Sequence, residues 1–308
     1  MRDSVILTII SLCGIVAYVI SVFYPPFDSL FLALIFGIFA GSFFDESCKR
    51  VVEKYLSIIL PIGIAMYGAN IKINPNIATK FTLIAILSAF TLGIMVYLIS
   101  KKVFKLNDKL SALISCGTAI CGASAIAIVS PLVKPKKEEF SAAIIIITIV
   151  GLTSAIVLPF LYYLLSIPSD KYALLCGATL HQTALVEIAT RPLGNDVVKW
   201  ALEVKGVRIA LIAVVAFLMS VIYSKHRYYV PWYIAAFLIV SYFSSFVLAE
   251  DVLRFLRPIS TIAFSITLAS VGFSVNVRDI QNMRIEPLIA AYTGWICAFL
   301  IIFALVMI

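Results

Sequence analysis

Apolar runs of about twenty residues recur along the whole chain, and this recurrence limits the fold more than any single motif. A hydrocarbon core roughly 30 Å thick is crossed by about 20 helical residues. Runs of that order lie at 5–24, 28–44, 56–71, 80–100, 111–132, 139–166, 171–190, 197–223, 230–249, 255–275 and 286–308. With 62% hydrophobic and 13% charged residues and a mean hydropathy of +1.08, a soluble globular class is excluded. The expected fold is an all-α polytopic membrane protein with about 10–11 transmembrane segments, forming one integral domain over 1–308. The first run follows Arg2 and has no small-residue cleavage site before Tyr24-Pro25-Pro26, so it is read as a mature helix.

The net charge of +8 does not point to nucleic acid, because the basic residues are spread over short loops such as Lys101-Lys102 and Lys134 to Lys137. Membrane topology and anionic headgroups account for them. The Lys/Arg distribution favours a cytoplasmic N-terminus with 111–132 dipping in and returning, over the alternative in which that run crosses. Cys13, Cys48, Cys116, Cys121, Cys176 and Cys297 lack zinc or disulfide-framework spacing and read as free thiols.

Two internal similarities appear when the chain is compared with itself. Ser57 to Ile73 lines up without gaps on Thr261 to Val277, so that Ile58, Ile62, Ala65 and Gly68 recur as Ile262, Ile266, Ala269 and Gly272, and polar Asn70 faces Ser274. More weakly, Cys116-Gly117 and Cys176-Gly177 each open a segment of small and polar residues. Repeated halves with interrupted helices are the usual build of a secondary transporter, and inverted repeats are expected here. Unwound backbone at membrane depth is tolerated where protein buries it or a wet cavity lines it. The alternative for the small residues is a helix packed tightly through its small face.

Ionisable residues inside the membrane are costly and are functional candidates by default. In "EVKGVR", Lys205 and Arg208 share one helical face, which suits either an oxyanion or snorkelling to the interface. In "CGATLHQTALVEIATR", His181, Gln182, Thr183 and Glu187 fall within two turns. Histidine there suits a proton relay or a structural hydrogen bond, and Glu187 suits pairing with Lys205 or Arg208, or the surface near Arg191. His181 is far in sequence from His226 and no HExxH is present, so neither metal nor cofactor is expected. In "SCGTAICGAS", an unwound segment would offer backbone N–H groups and a positive helix end to an anion, with Ser115, Thr118 and Ser124 as hydroxyl donors.

The segments "GIAMYGANIKI", "KKVFKL", "GTAICGASAIAIVSPLVK", "GATLH", "VKGVR" and "ASVGFSVNV", in that order, resemble the YeiH-type family of inner-membrane proteins labelled as sulfate exporters. That family is similar to the group of bile acid/sodium symporters and sodium/proton antiporters, in which a core of two crossed, interrupted helices moves against a scaffold. The resemblance implies that 111–132 is one interrupted helix and that 171–190 or 255–275 supplies the other. It implies a core of 56–75, 111–166, 171–223 and 255–279, and matches Gly117, Cys121, Gly122, His181, Lys205 and Arg208 to the family pattern. Gln182 departs from it, because an acidic residue usually follows that histidine, so coupling rests on His181 or Glu187, or is absent.

These readings imply a secondary active transporter of a small anion, with sulfate, sulfite or a related oxyanion leading, in the inner (plasma) membrane. Lys205, Arg208 and the Gly117 to Ser124 backbone, including Thr118, Cys121 and Gly122, are the expected anion site. His181, Gln182 and Glu187 are the expected coupling group for H+ or Na+, and a homodimer is an expected assembly. An anion channel or a membrane-embedded sensor is the alternative. An enzyme is not expected, since HExxH, GxSxG and Asp-rich lipid-phosphate motifs are absent.

Overall fold

The computed structural model describes residues 2–24, 28–70, 79–223, 232–274 and 284–308. Every element in them is helical: α1 (Arg2–Phe23), α2 (Ser29–Gly41), α3 (Glu46–Tyr67), α4 (Thr79–Leu98), α5 (Asp108–Ala119), α6 (Ala123–Val133), α7 (Lys137–Leu164), α8 (Ser169–Thr179), α9 (Thr183–Thr190), α10 (Asn195–Ala210), α11 (Ile212–Tyr223), α12 (Trp232–Phe246), α13 (Glu250–Phe273) and α14 (Glu286–Met307). Short 3₁₀ or π turns follow α3, α4 and α9. Among the described residues, six helical stretches are long and apolar enough to cross a membrane: Asp3–Phe23, Phe81–Val103, Lys137–Leu164, Asn195–Tyr223, Glu250–Phe273 and Glu286–Met307. Shorter apolar helices accompany them, giving an all-α polytopic membrane protein.

The chain packs as two compact units, one of Met1–Lys72, Lys136–Ala142 and Ser220–Met283, the other of Ile73–Pro135, Ala143–Met219 and Arg284–Ile308. The expected core segments divide between them: 56–70, 136–142, 220–223 and 255–274 fall in the first unit, and 111–135, 143–166 and 171–219 in the second.

In the first unit, α13 packs on α1, α2 and α3. Gly37 and Gly41, spaced as small-xxx-small, face the α13 backbone at Ala269 and Phe273, where a Cβ on either glycine would collide with a carbonyl. This close approach holds helices together where lipid offers no hydrophobic drive between them. α3 and α13 run antiparallel, with Gly63 opposite Thr267 and Asn70 bonded to Ser260 and Thr261. Gly63 and Thr267 hold equivalent places in the alignment of 57–73 with 261–277, so the two segments cross at their shared register. Positions 71–73 and 275–277 of that alignment lie outside the described residues. α13 is unbroken, so 255–275 does not supply an interrupted helix.

The second unit contains the broken helices. α5 ends at Ala119, residues 120–122 turn, and α6 starts at Ala123. The Lys109 ammonium, in the first turn of α5, donates to the Lys134 carbonyl just past α6 at 2.6 Å. Both ends of 108–133 therefore lie together, and the segment is a helical hairpin. α8 and α9 behave alike: Tyr172, one turn into α8, donates to the carbonyl of Ala189 near the end of α9 at 3.0 Å. The runs 111–132 and 171–190 thus fold back at their midpoints, where the family resemblance implied interrupted helices that cross.

The long helix α7, at 28 residues, separates the two hairpins in the chain. It is long and apolar enough to cross a membrane. With 12 residues in α5 and 11 in α8, each hairpin is about 17 Å deep, roughly half of a bilayer counted with its headgroups. Outward on α7, Ile156, Phe160 and Tyr163 form an exposed apolar stripe, as a lipid-facing helix requires.

Candidate functional site

The hairpin tips, at Ile120 to Gly122 and Leu180 to Gln182, come together in the second unit. Gly122 is the N-cap of α6 and Gln182 is the N-cap of α9. A Cβ on Gly122 would lie 3.0 Å from the Gln182 Cγ and 3.7 Å from the His181 carbonyl oxygen. Gly122 has φ +73° and ψ −129°, a backbone region open to glycine that costs other residues about 1–3 kcal/mol. Glycine is required here both by the backbone and by the neighbour.

Each break frees carbonyls at the end of its first half-helix, and a buried carbonyl without a donor is unfavourable. Lys205 and Arg208 on α10 supply the donors, and both are fully buried. The Lys205 ammonium donates to the carbonyls of Ile120 at 2.7 Å, Leu180 at 2.8 Å and His181 at 2.5 Å. The Arg208 guanidinium donates through Nε to Ala119 at 3.0 Å, through one terminal nitrogen to Gly177 and Leu180 at 3.0 Å each, and through the other to Thr118 at 2.8 Å and Ala119 at 2.9 Å. An ammonium has three N–H donors and a guanidinium five, and all eight are engaged by main-chain oxygens. Two fixed positive charges therefore sit at the negative ends of α5 and α8. Their depth rules out snorkelling, and their hydrogen bonds leave no N–H for direct ligation of an anion in this conformation.

The second half-helices start differently. The N-caps of α6 and α9 make no side-chain capping hydrogen bond. At α6, the Cys121 thiol takes the Ala125 N–H and lies 2.8 Å from the Ser124 hydroxyl, which also donates to the Cys121 carbonyl at 3.3 Å. The second tip carries two buried polar side chains, His181 and Gln182, with both ring nitrogens and both amide atoms lacking a protein hydrogen-bond partner. His181 passes closely over Gly151 of α7, where an added Cβ would stand 3.3 Å from its own Cβ.

Of the residues expected at the site, Cys121, Gly122, Ser124, His181, Gln182, Lys205 and Arg208 are brought together. Gly117 and Thr118 serve the hairpin itself. A Cβ on Gly117 would press on Ile126 at 2.9 Å, and the Thr118 hydroxyl bonds back to Ile114 at 2.8 Å while its carbonyl serves Arg208. Ser115 bonds to the Gly93 carbonyl at 2.7 Å. Glu187 pairs with Arg191 one turn later on an exposed surface, away from Lys205 and Arg208. Asn70 and Ser274 belong to the first unit, where Ser274 bonds to the Val271 carbonyl.

Trp295 on α14 was not foreseen. Its indole N–H donates to the Thr179 carbonyl at 3.1 Å, completing the end of α8. A buried tryptophan needs such a partner, and this was the one available signal. The main-chain carbonyls that hold Lys205 and Arg208 leave no trace in side-chain identity.

The profile of the family described as Conserved hypothetical protein 698 matches residues 5–291. A UPF0324 membrane protein of Archaeoglobus fulgidus is 47% identical over 94% of this chain and 88% of its own length. UPF0324 membrane proteins of Listeria monocytogenes, at 30% identity over 86% of this chain and 83% of theirs, and Bartonella henselae, at 29% over 86% and 79%, are also similar. No solved structure matches the chain. With the profile covering nearly the whole sequence, this chain belongs to the Conserved hypothetical protein 698 family of UPF0324 membrane proteins.

Proposed function

We propose that this protein is a secondary transporter of a small anion, working by alternating access in the inner (plasma) membrane. The observation that carries the reading is the meeting of two half-helix N-termini at the tip that bears two buried polar side chains, His181 and Gln182, with no hydrogen-bond partner in the protein. Each N-terminus carries roughly half a positive charge and directs free amides outward. Lys205 and Arg208 raise the potential from behind without touching the anion, so their role is to fix the tips and supply field. Gln182, His181 and the first amides of α6 and α9 are the direct donors, with Cys121 and Ser124 beside them.

Two hairpins that meet at equivalent positions support an inverted-repeat design with its site near the midplane. Cys116-Gly117 and Cys176-Gly177 hold the same place in each, just before the break. Sulfate or sulfite is the leading cargo on the resemblance of the motifs to the sulfate exporter family. His181 is the proposed proton carrier, should transport be coupled.

Counterflow in proteoliposomes tests this. Labelled sulfate or sulfite uptake is expected to saturate and to accelerate when unlabelled anion is preloaded. Flux that only follows the electrochemical gradient would make the protein a channel.

A further inference from the structure

Three main-chain carbonyls, those of Ile120, Leu180 and His181, converge on one point from two different hairpins, at 2.7, 2.8 and 2.5 Å from the Lys205 Nζ. Convergent neutral oxygens of this kind are how proteins replace the hydration shell of a monovalent cation. The point lies at the C-terminal ends of α5 and α8, where helix dipoles favour positive charge. The eight hydrogen bonds of Lys205 and Arg208 go to six main-chain carbonyls, and none goes to a carboxylate. The oxygens therefore suit a singly charged ion better than a divalent one, which calls for anionic ligands.

We propose that the Lys205 ammonium is a tethered ion filling a monovalent-cation site, so that the hairpin tips close without any free alkali cation. A soluble ion must be captured and released, and its occupancy then follows its concentration. A covalently attached ammonium is always present at its site. Lys205 is on this account a positioning residue: it holds both tips through their carbonyls, and Arg208 extends the clasp along both half-helices. This inference goes beyond the transport proposal and does not depend on what the protein carries. It assigns no sodium step to this place in the fold.

The test is thermal unfolding of the purified full-length protein, in which a failed transport assay plays no part. Wild type titrated with Na+ or K+ against choline at constant ionic strength is expected to show no saturable, ion-specific rise in unfolding temperature. Such a rise would overturn the proposal. Lys205→Ala removes the tether and leaves the carbonyls, so its unfolding temperature is expected to fall and to recover in ammonium or methylammonium but not in choline. Lys205→Met fills the same space with an uncharged chain and is expected to fall without recovery. Recovery of Lys205→Ala no greater than that of Lys205→Met would also overturn the proposal. Should Lys205→Ala not fold, the wild-type titration decides alone.

Discussion

Gly122 and Gln182, the N-caps of α6 and α9, stand against each other where two helical hairpins meet: a Cβ on Gly122 would lie 3.0 Å from the Gln182 Cγ. One residue is bare of side chain, and the other has an amide with no protein partner. The contact brings two positive helix ends together, an arrangement that favours a negative charge nearby.

Gln182→Ala removes an amide that has no protein hydrogen-bond partner, together with two buried methylenes at the tip. The variant is expected to lose modest stability from the buried methylenes and to bind the anion at least about tenfold more weakly, the order expected for one hydrogen bond to a charged group. Anion-induced thermal shift measures both quantities. Gln182→Glu should weaken binding further, because it places a carboxylate beside the anion.

Gly122→Ala combines a backbone region open to glycine with a collision against Gln182. Loss of about 1–3 kcal/mol of stability is expected, together with reduced flux. Gly194→Ala is the control: Gly194 also has positive φ, but open space surrounds the added methyl, so backbone strain acts there without a tip collision. Stability should fall in both, and flux per folded molecule should fall only in Gly122→Ala.

Arg208→Lys keeps the charge and removes the fork. A single ammonium does not serve Thr118, Ala119, Gly177 and Leu180 together, so carbonyls are left without donors at 1–3 kcal/mol each. A large drop in unfolding temperature is expected, well beyond that of Gln182→Ala.

Cys121 reports on access. In a background lacking the other five cysteines, a membrane-impermeant maleimide should label it slowly, and saturating anion should slow labelling further. Restoring only Cys116 or Cys176, both buried away from the tip turn, should give no anion-sensitive labelling.

Glu187→Gln should leave flux and its pH dependence unchanged, since Glu187 is paired with Arg191 at an exposed surface where such pairs contribute about 0–1 kcal/mol. His181→Asn should alter the pH dependence if His181 carries the proton.

Much of this arrangement is legible in the residues. The apolar runs give the all-α membrane class, and the small, polar stretches at 115–124 and 176–183 mark both breaks. Lys205 and Arg208 stand out because charge is rare at such depth. The folding back of 171–190 is not legible, because a hairpin and a crossing helix have the same composition and differ in where their ends lie; Tyr172 reaching Ala189 decides it. The partners of the two cations are equally hidden, because they are main-chain oxygens. Of the two places the sequence allowed for Glu187, its side chain takes the surface beside Arg191; spacing along α9 alone does not choose between them.

The most direct measurement is an anomalous difference map from crystals of the full-length protein grown with selenate, a heavier counterpart of sulfate. The account predicts a selenium peak within hydrogen-bonding reach of Gln182, His181 and the first amides of α6 and α9, with Lys205 and Arg208 still bound to their carbonyls. Selenate bound instead directly to Lys205 and Arg208, or found only away from the tips, would contradict it.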